Sequence, residues 1–161
     1  MIQRIQTVYL LLTAILSFVC TISQVACFKC MDEVVAGFSN FSFATYGSFS
    51  GYQSAGPFAL GVLLILVILL TLMSIMLFRK RMRQLRLVII SNILLAGYVL
   101  TYIVFAYFYA GNLAQFRPEN TVTFHLRFAA TLPVICFLLN CLAIHGIRKD
   151  EALVRSLDRL R

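Results

Sequence analysis

Charged residues are scarce in this sequence. Only 12% of its 161 residues are Asp, Glu, Lys or Arg, and 61% are hydrophobic. A soluble domain is about half apolar and carries about a quarter charged residues. The composition therefore excludes an ordinary soluble domain, and the length allows one compact membrane domain, residues 1–161, without a second folded module.

A nucleic-acid-binding face is also missing, although the formal net charge is +8. The basic residues stand in short segments beside apolar runs, and outside those runs no basic face is interleaved with aromatic residues. Lys and Arg in such positions are typical of membrane proteins, where they set the orientation of the chain. We therefore expect the lipid bilayer as a partner and no nucleic acid.

Asp, Glu, Lys and Arg are absent from four long stretches. At about 1.5 Å per residue each stretch spans the roughly 30 Å of bilayer hydrocarbon, and a backbone in lipid must be helical to satisfy its own hydrogen bonds. The four stretches are Ile5–Phe28, Pro57–Phe78, Leu87–Ala110 and Phe128–Ile147. The sequence thus predicts an all-α integral membrane protein, a four-transmembrane-helix bundle. Because the spans lack ionisable carboxylates and strong bases, a carrier or channel is the least supported function.

The first stretch also has features of a secretory signal. A short basic start at Arg4 precedes it, and Ala26-Cys27 resembles a lipoprotein cleavage site. The apolar run is, however, longer than the 7–15 residues of a usual signal core, and Gln24 occupies a position where such sites favour Leu. We therefore expect an uncleaved first helix.

Lys and Arg are distributed unevenly between the segments that join the stretches. Eleven of the 14 fall on one side, which includes an inner loop 79–86 and a tail 149–161, and three fall in the outer loops 29–56 and 111–127. The positive-inside bias places both termini in the cytoplasm. The tail has leucines on one helical face, which predicts an amphipathic helix on the inner leaflet. The basic residues of the inner loop lie at the membrane surface: Arg79, Lys80, Arg81, Arg83 and Arg86.

The outer loops contain strand-like segments. The aromatic and small polar residues of Phe38–Tyr52 alternate in part, with glycines that favour turns, and Thr121–Phe124 has a similar composition. A small β-hairpin or sheet that caps the bundle is one interpretation. An irregular aromatic loop in the headgroup region is the other, because aromatic residues often anchor loops there.

Two amides lie inside the predicted spans. Asn92 and Asn140 are at similar depths near the inner ends of their helices. A buried amide in lipid favours a partner, and such bonds contribute about 0.6–2 kcal/mol. We expect a structural contact between Asn92 and Asn140, direct or through one polar group.

Cys27-Phe-Lys-Cys30 is a C-x-x-C pair at the outer end of the first stretch. Haem attachment is excluded because Met31 rather than His follows Cys30. A zinc site would need two more ligands, and none is near in the sequence, so we expect neither a metal nor another cofactor. Two interpretations of the pair remain. It is either a catalytic thiol-redox pair or a passive pair, which would be a local disulfide or two free thiols.

The two ends of the chain carry a family resemblance. Met1–Leu12 and Ile147–Arg161 resemble the ends of the domain-of-unknown-function 4293 family of uncharacterised bacterial four-helix membrane proteins. The resemblance implies the topology and an inner-membrane location, and it implies no activity. Four helices with C-x-x-C after the first are also similar to the quinone-linked thiol oxidases of the disulfide-forming pathway. Those enzymes carry a second cysteine pair in the second outer loop, and residues 111–127 contain no cysteine.

The expected function is a non-enzymatic structural or accessory protein of the bacterial inner membrane. It would act as a partner subunit in a membrane complex or as a homo-oligomer. The alternative is a quinone-linked thiol-redox enzyme that uses Cys27 and Cys30.

Overall fold

The computed structural model describes residues 2–30, 33–49, 56–77, 81–116 and 123–158. The predictions for Arg79 and Lys80 lie outside the described residues, as do parts of both outer loops. Within the described chain, four helices and a four-stranded antiparallel sheet account for nearly all regular structure.

The helices are α1 (Ile2–Ile22), α2 (Phe58–Met76), α3 (Arg81–Phe116) and α4 (Leu132–Asp158). All four are long and apolar enough to cross a membrane. The predicted inner loop 79–86 is therefore too long, because α3 already begins at Arg81. The tail is corrected as well: α4 continues through Asp158 without a break, so 149–161 does not start a separate helix on the leaflet.

The end of the first predicted span is wrong. Helix α1 ends at Ile22, and the apolar run that follows is strand β1 (Gln24–Cys30). A run of a few apolar residues is compatible with either a helix or a buried strand, and hydropathy alone does not separate them. Val25, Ala26 and Phe28 are fully buried against the helices. Tertiary packing therefore decides that this segment forms a strand and not a helix.

The strands β2 (Glu33–Ser39), β3 (Phe43–Thr45) and β4 (Thr123–Leu126) complete the sheet in the order β3-β2-β1-β4. Both outer loops contribute strands, which confirms the sheet interpretation over the irregular loop. Strand β1, one of the two interior strands, was not expected. β4 lies at one edge, and all four of its residues are exposed.

The helices pack in a closed ring in which α1 contacts α2 and α4, and α3 contacts the same two helices. The sheet covers the end at which α1 ends and α2 begins. Its inner face packs on α3: Phe38 contacts the rings of Tyr102 and Tyr109, and Phe43 stacks on Tyr109 at 4.2 Å between centroids. We call this the sheet end, and the opposite end, where the termini meet, the terminal end.

A single buried residue, Asn40, ties the sheet to three helices. Its Nδ2 donates to the carbonyl of Cys20 at 2.6 Å, and its own carbonyl accepts from the N–H of Gly61 at 3.1 Å. Both backbone groups belong to helix termini, where no intrahelical partner exists. The hydroxyl of Tyr98 in α3 donates to Asn40 Oδ1 at 2.7 Å. Asn40 therefore closes the sheet end without leaving helix-terminal groups unpaired in an apolar environment.

Candidate functional site

The predicted C-x-x-C pair lies on β1 instead of at a helix end. Cys27 and Cys30 are both buried free thiols. Phe28 and Cys30 belong to the apolar core beneath the sheet, whereas Cys27 lies outside that cluster, and the pairing with β2 is irregular between Phe28 and Lys29. The two thiols thus lie on different faces of the strand. A disulfide between them would require the backbone to rearrange, because bridged Cβ atoms lie about 4 Å apart.

Cys27 has a neighbour that the sequence did not indicate. It pairs across the sheet with His125 of β4, and directly opposed residues on antiparallel strands point to the same face with Cβ atoms about 4.5–5.5 Å apart. His125 Nε2 lies 3.2 Å from the hydroxyl of Thr123, which itself donates to the carbonyl of Lys29. His125 therefore lies beside a thiol and a hydroxyl. In the described part of the chain, no three His, Cys, Asp or Glu residues are grouped to hold a metal ion.

The two amides do not form the expected contact with each other. Asn140 is fully buried and donates to the hydroxyl of Ser91 at 3.1 Å, whereas Asn92 donates to the sulfur of Cys141 at 3.5 Å. Each amide bonds to the residue beside the other, because consecutive residues lie about 100° apart around a helix. Only Asn140 faces the interior, and Asn92 lies at the outer margin of the contact between α3 and α4. The Oδ1 atoms of both amides are buried without a hydrogen-bond partner within the described structure.

The basic group of the inner loop is only partly described. Arg83 and Arg86 are exposed on the first turns of α3, and Gln84 between them is buried. Their exposure agrees with a role at a surface. They do not form a cleft with a second cluster of described polar side chains, so they do not constitute a binding site by themselves.

The two terminal segments that carried the family resemblance meet at the terminal end. Gln6 Nε2 of α1 donates to Asp150 Oδ2 of α4 at 2.7 Å, and both side chains are buried. Gly146 allows this approach, since a Cβ there would lie 3.1 Å from Gln6 Cγ. The sequence did not single out this pair, although both residues stand in the segments that carry the resemblance. Their contact gives those segments a structural role.

Three cavities lie along the side of the molecule where α3 faces α4 and β4. Their volumes are about 380, 370 and 250 Å³. Phe124 and Leu126 of β4 form the wall at the sheet end, and Phe137 and Ile144 of α4 form the wall toward the terminal end. Helix α3 lines all three cavities. This side is therefore less closely filled than a protein interior.

Six of the eleven α3 residues that line these cavities follow a regular spacing. They recur at alternating intervals of three and four residues, which keeps one face of a helix toward a neighbouring helix. We call them the seam: Asn92, Ala96, Val99, Ile103, Ala106 and Ala110. Three of them are alanines, and small residues at such positions allow two helix backbones to approach closely in a membrane.

A ridge of large residues lies next to the seam on the same helix. Leu100, Val104 and Phe108 stand at four-residue intervals and are 66%, 66% and 57% exposed. Side chains at this spacing form the ridges that pack into grooves of a neighbouring helix. This side of the molecule therefore has a groove along the seam and a row of protruding side chains beside it.

The comparisons with known proteins give one positive finding. The family model described as "Domain of unknown function (DUF4293)" matches residues 2–160, which is nearly the whole chain. No curated protein matches the sequence.

Proposed function

For this chain, which belongs to the DUF4293 family, we propose a non-catalytic role as an integral protein of the bacterial inner membrane. It assembles with a membrane partner through the seam on α3. The observation that carries the proposal is the seam itself, with its small residues and adjoining cavities.

The distribution of apolar surface supports the membrane location. Helix α2 exposes large apolar side chains such as Leu69 and Met73, which are 53% and 55% exposed. Its buried face includes Thr71 and Ser74, so the apolar residues of this helix do not simply point inward. Surface of this kind favours lipid over water. The uneven distribution of Lys and Arg supports cytoplasmic termini.

The seam supports assembly rather than catalysis. Van der Waals packing drives helix association in lipid, since burying apolar surface gains little there, and small residues and interhelical hydrogen bonds strengthen it. A helix with small side chains at this depth would fill the adjoining cavity of about 250 Å³ and gain van der Waals contact with the alanines of the seam.

The thiol-redox alternative has less support. Cys27 and Cys30 lie on different faces of β1, so they are poorly placed to exchange one disulfide. Cys27 and His125 form a neighbouring thiol and imidazole, but the described part of the second outer loop, residues 123–127, adds no second thiol.

Photo-cross-linking in native membranes tests the proposed function. A diazirine side chain of leucine size replaces Leu100 beside the seam, and the same side chain replaces Leu69 on α2 as a matched control. We expect a specific protein adduct from position 100 and none from position 69. Equal labelling of lipid alone at both positions would contradict the proposal.

A further inference from the structure

The net charge of the chain belongs to the segments at the terminal end. Those segments contain eleven Lys and Arg but only three acidic residues, Asp150, Glu151 and Asp158, which leaves a surplus of eight positive charges. The two outer loops contain three basic and three acidic residues and are neutral in sum. Asp150 is buried against Gln6, so it contributes little negative charge to the surface. A cationic surface at one end of a membrane protein attracts anionic lipid headgroups.

Two of the basic residues lie at the same level on neighbouring helices. Arg83 and Arg86 do not form a site by themselves, but Arg86 of α3 has a counterpart in Arg148 of α4, and both are exposed. The bond from Asn92 to Cys141 places those two residues at one depth. Arg86 lies six residues and Arg148 seven residues from that contact toward the terminal end. At about 1.5 Å per residue these are depths of about 9 and 10.5 Å.

Both arginines also stand on the helix faces that form the groove between α3 and α4. Ile89 of α3 and Ile144 of α4 line the same cavity in this groove. Arg86 precedes Ile89 by three residues, and Arg148 follows Ile144 by four. Side chains at these spacings lie on one face of a helix. The two arginines therefore flank the mouth of the groove at the terminal end.

From this arrangement we propose that Arg86 and Arg148 together bind the phosphate of an anionic phospholipid. That the lipid belongs to the cytoplasmic leaflet rests on the orientation in the proposed function. Arginine presents a planar fork of donors that matches phosphate oxygens, and basic sites between transmembrane helices on the cytoplasmic side bind such headgroups. Ile93, seven residues after Arg86, is 65% exposed, so the acyl chain follows α3 along the outer margin of the seam. The seam itself stays available to the membrane partner.

Arg83 and Lys149 provide matched controls at the same end of the molecule. Both are exposed and basic. Arg83 lies six residues from Ile89, and Lys149 lies five residues from Ile144, so they are rotated about 120° and 140° away from the cavity-lining isoleucines. Their loss removes the same charge without removing a residue that flanks the groove.

Native mass spectrometry of the full-length chain in mild detergent tests the site by measuring retained lipid. Phosphatidylglycerol should bind, and phosphatidylcholine of the same chain length should bind much more weakly. Arg86→Gln combined with Arg148→Gln should weaken phosphatidylglycerol binding about 10- to 30-fold, as expected for two basic residues at a lipid headgroup. Arg83→Gln combined with Lys149→Gln should weaken it less than about threefold, because charges beside the site are screened. Circular dichroism verifies that both variants stay helical.

Equal losses in the two double variants would show attraction by net charge alone and overturn the site. Equal retention of the two lipids by the unmodified chain would overturn the role of the phosphate. Inorganic phosphate is the second arm: displacement of the lipid by free phosphate at equal concentration would overturn the lipid as the ligand. The purified chain is measured without a partner, so a failure here leaves the seam untouched, and the cross-link from the Leu100 position tests the partner separately.

Discussion

The hydroxyl of Tyr98 donates to Oδ1 of Asn40 at 2.7 Å, which joins the middle of α3 to the turn between β2 and β3. The Nδ2 of the same side chain donates to the last turn of α1, and the main-chain carbonyl of Asn40 accepts from the N–H of Gly61 at the start of α2. One residue of an outer loop therefore fixes three helix positions, two through its side chain and one through its main-chain carbonyl.

Replacing Asn40 by Ala should destabilise the fold by about 1–3 kcal/mol, because the hydroxyl and the helix-terminal carbonyl would lose buried partners. Asn112→Ala on α3 is the matched control, since Asn112 is only partly buried, and its effect should stay within about 0.5 kcal/mol. Thermal unfolding in detergent measures both. Equal stability of the two variants would contradict the role of Asn40.

Gly61 faces the ring of Phe41 so closely that an added Cβ would overlap it. Gly61→Ala should therefore lower the unfolding temperature, at a cost of about 1–3 kcal/mol for overpacking. Gly111→Ala meets open space on α3 and should be neutral or stabilising by up to about 1 kcal/mol, since Ala favours a helix over Gly. Similar shifts in the two variants would refute the close contact between Phe41 and α2.

The Gln6–Asp150 contact predicts energetic coupling between the two ends of the chain. A double-mutant cycle with Gln6→Leu and Asp150→Leu should give a coupling free energy of about 1.5–3 kcal/mol, as expected for a hydrogen bond to a charged group. Denaturant unfolding of the four proteins supplies the values. Additive effects would show that the buried contact contributes nothing specific.

Orientation is testable by labelling. A cysteine introduced at Ser156, near the end of α4, should be shielded from an impermeant thiol reagent in intact cells, whereas one at Ser50 should react, because Lys and Arg favour the cytoplasmic side. Permeabilised cells provide the control for reactivity at Ser156. The reverse pattern would invert the topology.

The helices were predictable from sequence because a lipid-spanning backbone leaves few alternatives to a long apolar helix. Strand β1 was not, since Val25–Phe28 is as apolar as the helix before it and only its pairing with β2 and β4 distinguishes it. Part of the sheet was foreseen from the alternation around Phe41–Phe43, but nothing in the local sequence marks Asn40 as a residue that caps helix ends.

The polar contacts between helices were also only partly predictable from the sequence. The depths of Asn92 and Asn140 were estimated correctly enough to place each beside the other helix, but depth gives no rotation about the helix axis. One residue of rotation, about 100°, exchanges an interior amide for one at the seam. Asn140 accordingly donates to Ser91 and Asn92 donates to Cys141, and the Oδ1 of each amide has no partner in the described chain.

Co-purification of a membrane partner tests the assembly interface most directly. The tagged full-length chain, extracted from native membranes in mild detergent, should recover a specific membrane protein. Ala96→Phe, which fills the seam, should lose that protein, and Ala59→Phe, which adds the same bulk at an exposed position of α2, should retain it. Equal recovery with Ala96→Phe, or no specific protein with the unmodified chain, would contradict the account.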